Sequence, residues 1–283
     1  MLEEIFQDKK SPKYHVYKYL TKRKEEFKNK TAIDLPAGSV VTSYILNDIG
    51  CKVEAFDLFP EYFKAEGLVC KKANILEKLP VADSSADYFI CQEGIEHFSD
   101  QLIVFKEINR SLKRGGTLLL TTPNFSNLKS KFGHLVFETE VFNKQMPPNE
   151  IDSIWLADST SKGEVYYGHI FMSGVQELRV LGRLSGFKLK ETVFTNINKT
   201  SLWLLPFFYP IIFLSSVYTY FRSMKKRKDV DVTTKKSVYL EQFKLNISLK
   251  TLLDGTCFMV FEKELELNEV YSSLSKTFTK RQG

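Results

Sequence analysis

Two aspartates stand where the strands of a predicted βαβ unit end. Asp34 closes the first short apolar strand and Asp57 closes the second. A turn with one glycine, Gly38, follows the first strand, and residues 39–48 form a helix-like segment between the two. A small residue in such a turn lets backbone amides approach a ligand, and a carboxylate about 20 residues further on can accept both hydroxyls of a ribose. The spacing therefore predicts a site for a nucleoside-containing cofactor.

The glycine pattern of the first turn indicates which cofactor this is. Dinucleotide sites use G-x-G-x-x-G, with the pyrophosphate at the helix N-terminus. Here the residues after Asp34 are Leu-Pro-Ala-Gly-Ser-Val, with the single glycine Gly38. The charge of Asp34 would repel a pyrophosphate, whereas it suits a ligand with an ammonium group. The methionine end of S-adenosylmethionine (SAM) carries such a group.

Two later motifs repeat the pattern of a known family. Residues 79–87 resemble the LPF.D.SFD loop, and residues 93–98 the E.IEH element, of the ubiquinone-biosynthesis and type-11 methyltransferases. In order and spacing, residues 31–124 resemble the class I SAM-dependent methyltransferases. The first motif of that family has three glycines, and this chain has Pro36 and Val40 at two of their positions.

The resemblance implies an α/β fold, a Rossmann-like and mainly parallel seven-stranded sheet with an antiparallel last strand. We expect a third strand at 68–75, a helix at 101–113 capped by Gly115 and Gly116, a fifth strand at 117–124, a helix at 173–184, and strands at 186–194 and 255–262. We divide the chain into an N-terminal helical segment (1–30), a SAM-binding core (31–124), an acceptor-side insertion (125–170), two segments that complete the sheet (171–198 and 251–265), an apolar and basic insertion (199–250), and a C-terminal tail (266–283).

The resemblance also implies cofactor contacts, residue by residue. The first turn would contribute Asp34, Ala37 and Gly38, the ribose would meet Asp57, the adenine would meet Leu58, Asn74 and Ile75, and the far side of the site would be closed by Gln92 and Glu93. His15, in the N-terminal helix, is a further candidate for the carboxylate of the cofactor.

Methyl transfer to a hydroxyl requires a group that removes the proton. His97 is the candidate base, because it follows the predicted fourth strand, where such a sheet forms its ligand crevice. Glu96 would orient it or help to hold the acceptor, and the alternative is that His97 only braces its loop. His169 is the rival for base or acceptor contact. The four cysteines show no C-x-x-C spacing, which predicts no metal site.

The acceptor site is expected to be built from two insertions, of which residues 124–168, after the fifth strand, are the first. That segment carries aromatic and acidic side chains, namely Phe132, Phe137, Glu138, Glu140, Phe142, Trp155, Tyr166 and Tyr167.

A second apolar feature lies between the last two predicted strands. Residues 202–221 carry no charge and are long enough to cross a bilayer, and the basic run 225–228 follows. A single crossing would separate strands that must pair, and Pro206 and Pro210 are expected to break a helix near its start. Three interpretations stay open: a membrane-surface element whose basic run binds anionic lipid, a lid or dimer interface, and a buried helical pair.

These observations predict a SAM-dependent O-methyltransferase. The acceptor would be small or lipid-linked, such as a sugar of a polysaccharide precursor or a quinone-like ring. The alternative is a non-catalytic paralogue that binds a partner.

The net charge of +6 is spread along the chain, and residues 92–94 lack the Asn/Asp-Pro-Pro-aromatic clamp for base amines, so no nucleic-acid partner is expected. Unpaired cysteines and the lack of a signal peptide predict a cytoplasmic protein, at the inner face of the membrane if 202–228 binds lipid. A homodimer stays open.

Overall fold

A central seven-stranded sheet organises the chain. The computed structural model describes residues 8–38, 40–65, 67–139, 147–157 and 164–278. The strands of this sheet, in chain order, are β1 (Thr31–Asp34), β2 (Lys52–Asp57), β3 (Cys70–Lys72), β4 (Ala86–Gln92), β5 (Leu112–Pro123), β8 (Phe187–Thr192) and β9 (Thr256–Lys263). A separate hairpin consists of β6 (Ile154–Ala157) and β7 (Val165–Tyr167).

Helices connect the strands. They are α1 (Pro12–Lys22), α2 (Lys24–Phe27), α3 (Val41–Asp48), α4 (Gln101–Ser111), α5 (Leu128–Phe137), α6 (Glu150–Ser153), α7 (Val175–Leu184), α8 (Lys199–Lys225), α9 (Val232–Asn246), α10 (Leu249–Leu253) and α11 (Leu267–Phe278). Short 3₁₀ turns occupy Pro60–Tyr62 and Ile95–His97.

The strand order is β3-β2-β1-β4-β5-β9-β8. Strands β1 to β5 are parallel, and β9 runs antiparallel to both of its neighbours, β5 and β8. The predicted α/β sheet with an antiparallel last strand is therefore confirmed. The order reverses direction between β1 and β4, and in such sheets ligands bind at that point, beyond the carboxyl ends of the strands.

Both faces of the sheet are buried. On one face Ile33 and Phe89 pack against Phe105 of α4, and on the other Ala32 and Ile90 pack with the residues of α1 and α3. Parallel strands covered on both sides read as continuous apolar runs, which explains why β1 and β4 could be located in the sequence.

The end of α4 differs from the prediction. The helix ends at Ser111 and the chain enters β5 directly at Leu112, so Gly115 and Gly116 lie inside the strand rather than in a helix cap. The buried ammonium of Lys263 explains the difference, because it donates hydrogen bonds of 2.8 Å to the carbonyls of Asn109 and Leu112. These contacts satisfy carbonyls that a glycine cap would otherwise serve.

Strand β3 is shorter than the predicted 68–75. The chain leaves the sheet after Lys72, because the Asn74 side chain accepts a hydrogen bond from the Leu76 amide at 3.1 Å and closes a turn there.

The two prolines of α8 do not break it, contrary to expectation. Each removes one backbone hydrogen bond, but the helix continues through Pro206 and Pro210 for its full 27 residues. Packing stabilises it, since Leu204 and Phe208 contact Leu252 in a small apolar cluster beside the sheet. Helix stability in proteins derives mostly from such packing.

Candidate cofactor and active site

A cavity of about 830 Å³ opens beyond the carboxyl ends of β1, β2 and β4. Eight of the nine predicted cofactor residues line it: Ala37, Gly38, Asp57, Leu58, Asn74, Ile75, Gln92 and Glu93. Several ring and apolar side chains complete its β2 side, among them Phe59 and Tyr62. The strand-end location follows from the topology, and the local sequence supplies a polar group at each strand end.

Asp57 is fixed by the first turn. One of its oxygens accepts a hydrogen bond from the Gly38 amide at 2.8 Å, and the other accepts one from the Phe59 amide at 2.9 Å. Gly38 has a φ of +45°, which glycine adopts readily, and apart from its chain neighbours no described residue has an atom within 4 Å of the position that a Cβ would take. The turn therefore leaves open space above the backbone and holds the carboxylate in one orientation, with a lone pair left on each oxygen.

The fourth-strand element packs directly on the first turn. A Cβ on Gly94 would stand 2.3 Å from Cδ and 2.7 Å from Cγ of Pro36. Pro36, which stands where the family has a glycine, can therefore pack here because residue 94 is a glycine. Next to it, Glu93 has a φ of +48°, held by its amide bonding to Thr121 of β5.

Asp34 departs from its predicted role. It is fully buried beneath the turn and does not line the cavity, so direct contact with an ammonium group is not supported. The Ser43 hydroxyl of α3 donates a 2.6 Å hydrogen bond to one of its oxygens. Burial raises the pKa of Asp34 to about 7. The hydrogen bond with Ser43 indicates that Asp34 links β1 to α3 beneath the turn.

Two amide side chains on the wall are already engaged. Asn74 uses its oxygen for the Leu76 amide at 3.1 Å, and its NH₂ group remains to read a base edge. Gln92 accepts a 2.5 Å hydrogen bond from Thr42, which orients it toward α3.

His97 lines the cavity and has a defined tautomer. Its Nδ1 lies 2.7 Å from the Tyr167 carbonyl oxygen, which can only accept, so Nδ1 carries the proton and Nε2 has a free lone pair. Burial lowers the pKa of His97 to about 4. The imidazole is therefore neutral at neutral pH, and its Nε2 can accept a proton or bind a cation.

Of the two glutamates beside His97, Glu96 is buried and Glu93 is half-buried. Burial raises the pKa of Glu93 and Glu96 well above the ordinary range, and the charge of Glu93 raises that of Glu96 further. Glu96 is 0% exposed, and its Oε1 stands 3.9 Å from Nε2 of His97. That separation exceeds a hydrogen bond.

The β6–β7 hairpin places His169 next to this pair. The ring of Trp155 lies 5.1 Å from that of His97 and 5.0 Å from that of His169, and Tyr166 lies 4.6 Å from His97. The ligand atoms of Glu96, His97 and His169 all lie within 4.8 Å of one another, a grouping that could hold a metal ion. The prediction of no metal site rested on cysteine spacing and did not consider this cluster.

The long insertion contributes only in part to the cavity. Tyr166 and Tyr167 line it, whereas Phe132 packs against α8 and neither Phe137 nor Glu138 reaches it. The predicted residues Glu140 and Phe142 lie outside the described residues. Leu156, Glu164 and Val165 of the hairpin also line the cavity.

The N-terminal segment supplies wall residues that the sequence analysis missed. Ser11, Pro12 and Lys13 line the cavity, while His15, the predicted candidate, does not. The signal available was the Ser-Pro pair at the start of α1, where Ser11 caps the helix.

Comparison with known proteins agrees with this geometry. Residues 33–120 match the model of a methyltransferase domain family. This segment is therefore similar to a methyltransferase domain. Over 101 residues the chain is 31% identical to the ubiquinone biosynthesis O-methyltransferase of Xanthomonas campestris pv. campestris. The aligned region covers 32% of this chain and 42% of that protein. The chain thus spans less than half the length of the curated relatives that it matches.

Solved structures have the same fold as this chain. A SAM-dependent methyltransferase from Archaeoglobus fulgidus superposes with a TM-score of 0.50 at 12% identity, covering 89% of this chain and 94% of that one. The YcgJ protein from Bacillus subtilis superposes with a TM-score of 0.51 at 12% identity, covering 89% and 99%.

The residues on the cavity wall fit SAM, the cofactor of the SAM-dependent methyltransferase that shares this fold. Asp57 keeps acceptor capacity for ribose hydroxyls, and Gly38 leaves room above the backbone. Glu93 presents Oε1, a buried oxygen with no hydrogen-bond partner among the described residues, at a wall position suited to a cationic ligand group.

Proposed function

We propose that the protein transfers a methyl group from SAM to a hydroxyl of a small or lipid-linked acceptor. The observation that carries the proposal is that one cavity is lined both by Asp57, with free acceptor capacity, and by His97, with an unprotonated Nε2. The ubiquinone biosynthesis O-methyltransferase relative supports a hydroxyl acceptor.

Different residues of the cavity wall would contact different parts of SAM. Asp57 would hold the ribose, Leu58 and Ile75 the adenine faces, and Glu93 the amino group. When bound, SAM supplies a methyl group already activated on a sulfonium. Positioning then provides most of the acceleration.

Among the described residues that line the cavity, His97 is the candidate for removal of the hydroxyl proton. Nε2 takes the proton, while the Tyr167 carbonyl holds Nδ1–H and fixes the ring. The oxygen–carbon bond forms as the carbon–sulfur bond breaks, and the charges of the sulfonium and the oxygen cancel. Trp155 and Tyr166 shield the ring from water on the hairpin side.

Calorimetry with SAM and with S-adenosylhomocysteine tests the proposal. We expect both to bind, and failure of both at high micromolar concentration would leave the alternative, a non-catalytic paralogue that binds a partner. Transfer of labelled methyl groups to catechol and to a membrane lipid extract tests turnover.

His97→Gln should lower the transfer rate by about 10²-fold with unchanged SAM affinity, because only proton removal is lost. The surface variant His134→Gln is the control and should keep both. A His97→Gln protein with full turnover would remove His97 from the mechanism.

We also propose that α8 rests on an anionic membrane surface. Its apolar side chains form a stripe at helical spacing, and five of them are between 62% and 70% exposed: Trp203, Phe207, Ile211, Leu214 and Tyr218. Apart from Ser201, Leu204 and Ser216, no described residue of α8 is buried, so the interpretation of a buried core pair is wrong. The basic run 225–228 continues directly from this stripe.

The topology favours a helix that lies on a membrane over one that crosses it. By length and composition α8 could span a bilayer. However, β8 precedes it, β9 follows it, and the two strands pair in one sheet. An interfacial helix with an apolar stripe and adjacent lysines satisfies both facts. The proposal locates the protein at the cytoplasmic face, within reach of a lipid-linked acceptor.

Flotation with phosphatidylserine vesicles tests the membrane proposal. The wild type should float, and K225E/K226E/K228E and W203S/F207S/L214S should each reduce the floating fraction severalfold. K18E/K22E/K24E makes the same charge change on exposed positions of α1 and α2 and should float like the wild type. A wild type that stays in the soluble fraction contradicts the proposal. If it sediments as a dimer that the apolar variant dissociates, the stripe is instead a homodimer interface.

A further inference from the structure

Three side chains capable of binding a metal converge from two parts of the chain. Glu96 and His97 belong to the 3₁₀ turn after β4, and His169 follows the hairpin strand β7. Their ligand atoms lie within 4.8 Å of one another, and Glu96 and His97 are buried. One carboxylate and two imidazoles form a donor set that suits divalent transition metals.

Glu96 has an unmet need for a positive partner. It is fully buried, and no hydrogen bond of good geometry reaches either carboxylate oxygen within the described ranges, where only the nearby Thr122 hydroxyl and its own backbone stabilise the charged form. Buried carboxylates are normally paired, hydrogen-bonded or bound to a metal. The nearest candidate partner, His97, stands 3.9 Å away and presents a lone pair rather than a proton. Two electron-pair donors facing each other at this distance are the arrangement that a shared cation would stabilise.

His97 is oriented as metal-binding histidines are. Such residues usually donate their other ring N–H to a carbonyl or carboxylate, which fixes the tautomer and aims the lone pair at the ion. Here the Tyr167 carbonyl receives Nδ1–H at 2.7 Å.

The position of His169 is built into the hairpin. A Cβ on Gly168 would stand 2.6 Å from the carbonyl oxygen of Asp152 and 2.7 Å from Nε1 of Trp155, so only glycine allows the chain to pass there. Trp155 packs on both histidine rings and holds them side by side, with ring centroids 5.3 Å apart.

We propose that Glu96, His97 and His169 bind one divalent transition-metal ion of the Zn²⁺ or Mn²⁺ class. His97 lines the cavity, so the remaining coordination positions would face the acceptor side. The inference rests on the proposed transfer to a hydroxyl but gives Nε2 another role. Bound to the ion, Nε2 would no longer take the proton, and the ion would instead bind the acceptor hydroxyl and lower its pKa so that the proton leaves to solvent. Acceptors with two adjacent oxygens, such as a catechol or a vicinal diol, fit this role because they can chelate.

Metal binding is measured on the full chain after treatment with a chelator. Calorimetry with Zn²⁺ and visible absorption with Co²⁺ should each report one ion per chain. Glu96→Gln, which preserves the shape of the side chain, and His169→Ala should each weaken binding by at least about tenfold. His134→Ala, at an exposed histidine of α5, should bind like the wild type. Thermal unfolding without metal checks that each variant is folded. Zn²⁺ should then raise the Tm of the wild type and of His134→Ala, and should raise that of Glu96→Gln and His169→Ala less.

Wild type that binds no stoichiometric ion, or variants that bind it with unchanged affinity, would overturn the inference. SAM calorimetry on the metal-free protein keeps this result apart from the proposed function. Binding of SAM without binding of metal overturns only the metal site. Binding of metal without binding of SAM supports the metal site and overturns the methyltransferase proposal.

Discussion

Gly94→Ala is expected to weaken SAM binding by about 10- to 100-fold. The new methyl group would stand 2.3 Å from Cδ of Pro36, and a proline ring cannot rotate away. Either the first turn or the Glu93 segment must therefore move, and a displacement near 1 Å in a binding site can cost about 10²-fold. Overpacking should also lower the free energy of unfolding by about 1–3 kcal/mol. Calorimetry with SAM and urea unfolding measure the two effects.

Gly115→Ala is the matched control for this variant. Gly115 has a φ of +77°, so alanine is strained there. In the described part of the chain no atom beyond its direct neighbours lies within 4 Å of the added Cβ, and the residue does not line the cavity. We expect a loss of about 1–2 kcal/mol in stability and an unchanged Kd for SAM. An affinity of Gly94→Ala equal to that of the wild type would show that the contact with Pro36 does not shape the site.

The contact between Gly94 and Pro36 also shows where sequence reasoning stops. The first turn could be located because Asp34, Gly38 and Asp57 lie within one βαβ unit, where spacing alone determines neighbours. That Pro36 compensates for a missing family glycine by packing on Gly94 could not be deduced, because it depends on how β1 and β4 pair. The sequence pattern also does not indicate how deeply each side chain is buried, so it could not show that Asp34 lies beneath the turn.

The cluster of Glu96, His97 and His169 illustrates the same limit at longer range. His97 and His169 were both singled out, but as rivals. The hairpin makes them neighbours. Their position depends on the packing of Trp155 against His169 and on the close approach of the backbone at Gly168, and local periodicity shows neither contact. For α8 the apolar run was visible, whereas its exposure was not, because composition does not distinguish a core helix from one with an exposed stripe.

Asp57→Ala is expected to reduce SAM affinity by at least about 100-fold. The carboxylate is the only acidic side chain at the end of β2, and hydrogen bonds to a charged group are worth about 1.5–3 kcal/mol each. The substitution removes acceptors for two ribose hydroxyls, and it also releases the amides of Gly38 and Phe59, which the carboxylate now holds at 2.8 and 2.9 Å. The turn that shapes the cavity would therefore loosen together with the lost contact. Calorimetry with SAM and S-adenosylhomocysteine measures the effect.

Asp57→Asn separates these two causes. The asparagine oxygen can still accept one of the backbone amides, so the turn should persist while one acceptor and the charge are lost, and a smaller reduction of about tenfold is expected. Glu54→Ala removes an acid from the same strand, at a position that does not line the cavity and whose ion pair with Lys71 is 3.9 Å long. It should leave the Kd unchanged. If Asp57→Ala bound SAM within about threefold of the wild type, the βαβ carboxylate would be a brace for the turn, and the ribose would have to be held elsewhere on the wall.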